Sequence, residues 1–244
     1  MIKMVDFHCH PDLYDDPFKV IKKAQIDQVG LVFMTNLPRL YNKYIEIYGK
    51  IENVKIALGY HPQLVDEYPN ELKYFLDNLE KTKYIGEIGL DYLSKNVNLM
   101  QKQINIFKRI VDECNMIGNK VLSIHSRCSE DLVLKYLKEG SCKYILHWYS
   151  GNIKNLLQYM NENKQILVSV NSDMIDSTRG RQLIKSVPAS RILLETDAPF
   201  TKDTKYDYNG KLLLKSIQEI SRIRGESSER MFNIIFENTK KILL

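Results

Sequence analysis

No stretch of this sequence stays apolar for long. Runs such as Ile192–Leu194 end far short of the roughly 20 residues that a membrane helix needs. The N-terminal MIKMVDFHCH has no apolar core of the kind a secretion signal carries, and it reads instead as a strand bearing two histidines; the expectation is a cytoplasmic protein. Cysteine is scarce. Cys9, Cys114, Cys128 and Cys142 form no CxxC pair, which gives no basis for a disulfide framework or a thiolate zinc knuckle. Neither sign of charge dominates: Lys and Arg number 35 against 30 Asp and Glu, and the net +5 permits a polyanionic substrate without demanding one. Low-complexity tracts, charge blocks and Pro/Gly-rich linkers are also missing, so 1–244 is read as a single domain, long enough to bury a full core.

What is present is a rhythm. Short apolar, β-branched runs recur at Met4–His8, Leu31–Asn36, Val54–Gly59, Tyr84–Ile88, Lys120–His125, Tyr144–His147, Ile166–Val170 and Arg191–Glu195. Each begins roughly 20 to 35 residues after the last, the length of a βα unit. Helical periodicity fills the intervals. Val20, Ile21, Ala24 and Ile26 make an apolar stripe behind Pro17, and Ile104, Phe107, Ile110 and Val111 make another within Met100–Met116. Leu132, Leu134, Tyr136 and Leu137 repeat the pattern, and Gly225 separates Leu212–Ile223 from Met231–Leu244. The first βα turn carries no GxGxxG phosphate loop, which weighs against a nucleotide-binding open sheet. The expected fold is α/β, a (β/α)8 TIM-type barrel.

All five histidines (His8, His10, His61, His125 and His147) fall at or just beyond the C-terminal ends of these runs, the rim where barrel active sites form. In HCH, side chains two apart point the same way, so His8 and His10 face inward together and Cys9 faces out. Gly86 and Gly89 flank Glu87 in GEIGLD and let the backbone bend and approach closely. A carboxylate there could bridge two cations or pair with a buried base. Asp91 could orient a metal ligand or cap the next helix. ETDAP sets Glu195 and Asp197 on one face, where two carboxylates repel unless a cation or shared proton intervenes. Asp197 would be a ligand or water-orienting base, with Glu195 in support. His61, before Pro62, could be a ligand, a substrate donor or a general acid, and donor is favoured. Arg127 lies two residues beyond His125. Trp148 and Tyr149 beside His147 could stack on a base or pack beneath a loop.

Six ordered motifs carry a resemblance over almost the whole chain: DFHCH (Asp6–His10), GYHP (Gly59–Pro62), GEIGLD (Gly86–Asp91), IHSR (Ile124–Arg127), HWYSG (His147–Gly151) and ETDAP (Glu195–Pro199). Together they resemble the TatD family of metal-dependent deoxyribonucleases, a branch of the amidohydrolase-type barrels. Gln103 and Phe107 fit its Gln-x-x-x-Phe stretch. The resemblance implies two divalent ions, magnesium or manganese in function, with zinc also suited to so many histidines. By it, His8, His10, Glu87 and Asp197 hold one ion, and Glu87, His125 and His147 hold the other. It further implies hydrolysis of DNA phosphodiesters, often from the 3′ end.

The expected chemistry is two-metal hydrolysis, with Asp197 orienting or deprotonating water and His61 and Arg127 gripping the phosphate. Trp148 is the expected base contact, and Glu195 is counted with Asp197 and His61 among the catalytic residues. The rival readings are an amide or ester hydrolase on the same site, such as a D-aminoacyl-tRNA deacylase, and a non-catalytic partner-binding subunit. Glu87, in place of a carboxylated lysine, favours the nuclease branch. Beyond Pro199, FTKDTKYDYNGK departs from the family's Arg-Asn-Pro loop, which bears on substrate choice. The HWYSG and HCHPDLY variants resemble the TatD-type member of an anti-phage defence cassette, which would bring defence-system protein partners.

Overall fold

The computed structural model describes residues 4–243. Its strands are β1 (Met4–Cys9), β2 (Val29–Met34), β3 (Val54–Ala57), β4 (Tyr84–Asp91), β5 (Val121–Arg127), β6 (Lys143–His147), β7 (Ile166–Val170) and β8 (Ile192–Leu194). Helices alternate with them: α1 (Pro17–Ile26), α2 (Pro38–Tyr48), α3 (Glu71–Leu79), α4 (Val97–Ile117), α5 (Glu130–Leu137), α6 (Ile153–Glu162), α7 (Ser172–Asp176), α8 (Thr178–Ser186), α9 (Lys211–Arg224) and α10 (Ser228–Leu243). Strand order follows the chain, β1-β2-β3 in one sheet and β4-β5-β6-β7-β8 in another. Pairing is parallel in β1–β2, β4–β5, β5–β6 and β7–β8, as βα units require.

The chain divides into two compact units. The first runs to Phe33, adds Ile51–Lys55, and resumes at Val168. Val5, Phe7, Leu31, Val170 and Leu193 are buried in it, together with Ile217 and Ile220 of α9. Asp16 caps α1 by accepting the Lys19 amide, and Pro17 takes the first helical position. Val20, Ile21 and Ala24 of the expected stripe are buried, but Ile26 is 70% exposed, because it lies in the last turn, off the apolar face. Gly225, at φ 67, takes the left-handed conformation that ends α9.

The second unit, Met34–Lys50 with Ile56–Leu167, holds β4, β5 and β6. Phe107, Ile110 and Val111 of α4 are buried as the periodicity predicts. In α5, Val133, Leu134 and Leu137 are buried while Leu132 and Tyr136 are half-buried, a face rotated by one residue from the expected one.

Strand bounds shift modestly from expectation: β2 starts two residues earlier, and β4 extends to Asp91. Two irregularities bear on function. The β1–β2 register slips between Asp6 and Cys9, and the β4–β5 register slips between Ile85 and Ile88. A slip re-aims the side chains beside it. Here those neighbours are His8 and Glu87.

Candidate metal centre

In the first unit, HCH at the end of β1 behaves as its spacing dictates. His8 and His10 are 0% and 1% exposed, with their Nε2 atoms 3.1 Å apart. Cys9 points the other way, its thiol toward the Val32 carbonyl oxygen, and is fully buried. Asp197 lies beyond β8 with φ 48, a left-handed backbone rarely adopted by a non-glycine residue. Its Oδ1 comes 3.7 Å from His8 Nε2 and 3.8 Å from His10 Nε2. The Asp197 amide donates to the His8 carbonyl oxygen at 2.9 Å and the His10 amide to that of Ala198 at 2.8 Å, which tie the HCH and ETDAP segments together. Two imidazole nitrogens and a carboxylate oxygen, all within 4.8 Å of one another, form a donor set suited to a divalent cation.

Around this cluster the carboxylates are held by neighbours. Asp6 accepts the Thr196 amide (2.9 Å) and hydroxyl (2.6 Å) and the Tyr208 hydroxyl (3.2 Å). Burial pushes its carboxyl up to about 7 despite those bonds. Glu195 accepts from the Ser169 hydroxyl and from Asn171 Nδ2 at 2.9 Å. It therefore ties the end of β7 to the segment that follows β8. Tyr208 belongs to the divergent FTKDTKYDYNGK segment, which Tyr14 also anchors through its hydroxyl to the Thr204 carbonyl oxygen. Phe200, at its start, is 59% exposed and sets its ring edge-on to His10 at 5.5 Å.

In the second unit, Glu87 is the focus. Its Oε1 lies 2.8 Å from His125 Nδ1, 3.5 Å from His61 Nε2 and 3.5 Å from His147 Nε2. Any Cβ at Gly89 would fall 2.0 Å from the His125 carbonyl oxygen, so only glycine lets β4 press against β5 there. The other face of the His125 ring meets Asp91, Nε2 to Oδ2 at 3.0 Å. Burial works against a charged His125, but its hydrogen bonds to Asp91 and Glu87 prevail and raise it to about 9. Burial alone would raise Asp91 as well; bonds from His125, the Leu93 amide and Gln63 instead hold it at about 2.

His61 sits beyond β3, at the head of the Pro62–Leu64 turn, where its Nδ1 accepts the Gln63 amide at 3.2 Å. A neutral imidazole that accepts at Nδ1 carries its proton on Nε2. His61, Glu87 and His125 also fall within ligating distance of one another. Arg127 ends β5 exposed, Trp148 is half-buried with φ 40, and Tyr149 is buried with its hydroxyl on the Asn152 carbonyl oxygen, which fits packing rather than stacking. Asp91, which the sequence offered as an orienter of a metal ligand or a helix cap, thus touches His125; the role of Gln63 left no trace in the sequence, and that of Gln103 only the Gln-x-x-x-Phe stretch.

Alternating βα units with histidines and acids gathered at strand ends define a metal-dependent hydrolase. Residues 5–244 match the family model described as TatD related DNase, and the chain belongs to that family. It is 27% identical, over 98% of its length and 96% of the relative's, to an uncharacterized metal-dependent hydrolase of Methanocaldococcus jannaschii. It is 25% identical to the human deoxyribonuclease TATDN3, covering 99% of this chain and 94% of that one. Among solved structures, the Escherichia coli TatD homolog YjjV superposes with a TM-score of 0.85 at 19% identity, over 98% and 97% of the two chains. That likeness shows the expected (β/α)8, TIM-type fold. Among the described residues, no helix is long and apolar enough to cross a membrane.

Proposed function

We propose that His8, His10 and Asp197 hold one divalent ion, that Glu87, His125 and His147 hold a second, and that the protein hydrolyses phosphodiester bonds of DNA from a chain end. The observation that carries this is a mixed imidazole–carboxylate donor set in each unit: His8, His10 and Asp197 within 4.8 Å of one another in one, and Glu87 Oε1 2.8 Å from His125 and 3.5 Å from His147 in the other. Membership of the TatD related DNase family and the name of the human relative support DNA as substrate. Such ions supply charge neutralisation at phosphorus and acidify water near neutral pH.

The chain's own residues do the rest. Asp197 orients the attacking water and takes its proton as oxygen adds to phosphorus and the P–O ester bond breaks. His61 donates Nε2–H to a phosphate oxygen, a contact in which the donor meets developing negative charge. Arg127, exposed at the end of β5, grips a neighbouring phosphate, and Trp148 offers a face to a base. Glu195 keeps the rim beneath Asp197 fixed. Magnesium and manganese are the working ions in this reading, with zinc an alternative occupant.

Labelled single- and double-stranded DNA incubated with protein and manganese or magnesium tests it. Cleavage should appear, shorten products stepwise from an end, stop with EDTA and be abolished in Asp197→Asn. Turnover of a carboxylic ester or aminoacyl-tRNA without cleavage of DNA would overturn it.

A further inference from the structure

Two imidazoles face the same carboxylate oxygen of Glu87, His125 through Nδ1 at 2.8 Å and His61 through Nε2 at 3.5 Å. Their outer nitrogens meet opposite kinds of partner. His125 Nε2 meets the Asp91 carboxylate at 3.0 Å, which can only accept. His61 Nδ1 meets the Gln63 backbone amide at 3.2 Å, which can only donate. We infer that Asp91 and Gln63 form a positioning pair that holds both His125 and His61 as the Nε2–H tautomer, so that His125 turns a bare Nδ1 toward Glu87 as a lone-pair ligand while His61 turns its Nε2–H there as a donor. The inference rests on the metal-hydrolase reading above, whose roles for the two histidines it explains.

Each member of the pair is itself fixed. Asp91 Oδ2 also accepts Gln63 Nε2 at 2.8 Å, and Oδ1 accepts the Leu93 amide at 3.0 Å. The Asp91 amide donates to Gln103 Oε1 at 2.9 Å, and Gln103 Nε2 donates to the Pro62 carbonyl oxygen at 3.1 Å. Gln103 is 1% exposed, so both of its bonds are sheltered from water. A closed circuit results, from the His61–Pro62–Gln63 turn through Asp91 to Gln103 and back to Pro62. Gln63 belongs to both halves: its backbone fixes His61 while its side chain holds the carboxylate that fixes His125. A proton held on Nε2 by Asp91 leaves Nδ1 as the nitrogen able to ligate, the carboxylate–histidine arrangement that orients metal-bound imidazoles. A proton held on Nε2 of His61 leaves that nitrogen unable to ligate and able to bond a phosphate oxygen.

Nitrogen-15 spectra of the histidine side chains test this in metal-free Glu87→Ala protein at high pH, where the rings are neutral and the Glu87 carboxylate, 2.8 Å from His125 Nδ1, no longer competes with Asp91 for the proton. His125 and His61 should both show the proton on Nε2, His125 with Nδ1 bare. Adding Asp91→Ala should make the His125 preference fade while that of His61 persists, and with Glu87 intact Asp91→Ala should lower manganese or zinc affinity by calorimetry about 10- to 100-fold. Gln63→Leu leaves the backbone amide and should lower affinity by a smaller factor without changing His61; it also serves if Asp91→Ala does not fold. A proton on Nδ1 of His125 in the Glu87→Ala protein, or unchanged spectra and affinity on substitution of Asp91 and of Gln63, would overturn the inference. Failure of wild-type protein to bind any divalent ion would instead sink the metal reading, whatever the spectra show.

Discussion

At the scale of single residues, the site separates histidines by what holds their second nitrogen. His10 offers Nε2 to a cluster with His8 and Asp197, whereas His61 accepts the Gln63 amide at Nδ1, which suits the donor role proposed for its Nε2. His61→Ala should therefore cut turnover about 100- to 1,000-fold and leave metal content unchanged. His10→Ala should lose metal and turnover together. Elemental analysis alongside rates decides it, and a metal-depleted His61→Ala would make His61 a ligand. His125 sets a pH dependence. Its value near 9 in the metal-free fold lies above its ordinary 6.5, so the stabilisation it gives is full below about 6.5 and is lost as pH rises through about 9. The same contact, seen from Asp91 at about 2, persists until strong acid. Melting of EDTA-treated protein should thus fall between pH 6.5 and 9, while the increment from added metal grows over that range as protons stop competing for Nδ1. A flat profile for the EDTA-treated protein would contradict the His125 assignment.

At the scale of elements, the strand runs and their spacing were legible because buried parallel strands are written as short β-branched stretches. The positions of the clustered histidines and acids were legible for the same reason: strand-end polar residues stand out against apolar runs. Register was not legible. Nothing in a linear pattern reveals the slips beside His8 and Glu87, which depend on how neighbouring strands meet. Nor could periodicity show that Ile26 falls off the buried face of α1, or that Val133 replaces Leu132 in the core. GEIGLD was the partial exception, since two glycines around an acid do announce close backbone approach. Gly89→Ala measures that approach: the added methyl meets the His125 carbonyl oxygen and should cost ~1–3 kcal/mol by denaturant unfolding. It should weaken metal binding as well, because β4 and β5 would separate at Glu87 and His125. Wild-type stability in the variant would show that the strands can part without consequence.

At the scale of the whole molecule, the family and the fold were readable from six ordered motifs, while the divergent segment after Pro199 was readable only as a departure. The structure gives that segment anchors: Tyr208 on Asp6 and Tyr14 on the Thr204 carbonyl oxygen. If two ions bind the folded chain, their removal should destabilise it, by about 2.7 kcal/mol for each ion present at 100 times its Kd. Thermal melts with and without EDTA would read this, and Glu87→Gln should lose the share of the ion proposed to sit with His125 and His147. Full metal retention in Glu87→Gln would refute its role as a ligand. The thiols offer a chemical gauge of the same equilibrium. Cys9, between the two histidines of HCH, is buried, and burial pushes its thiol well above the ordinary range, so it stays protonated and neither ligates nor reacts. Cys114 and Cys142 are buried too, which leaves Cys128 exposed beside Arg127. In the folded protein an alkylating reagent therefore reaches one sulfur, and each further adduct records an opening of the chain.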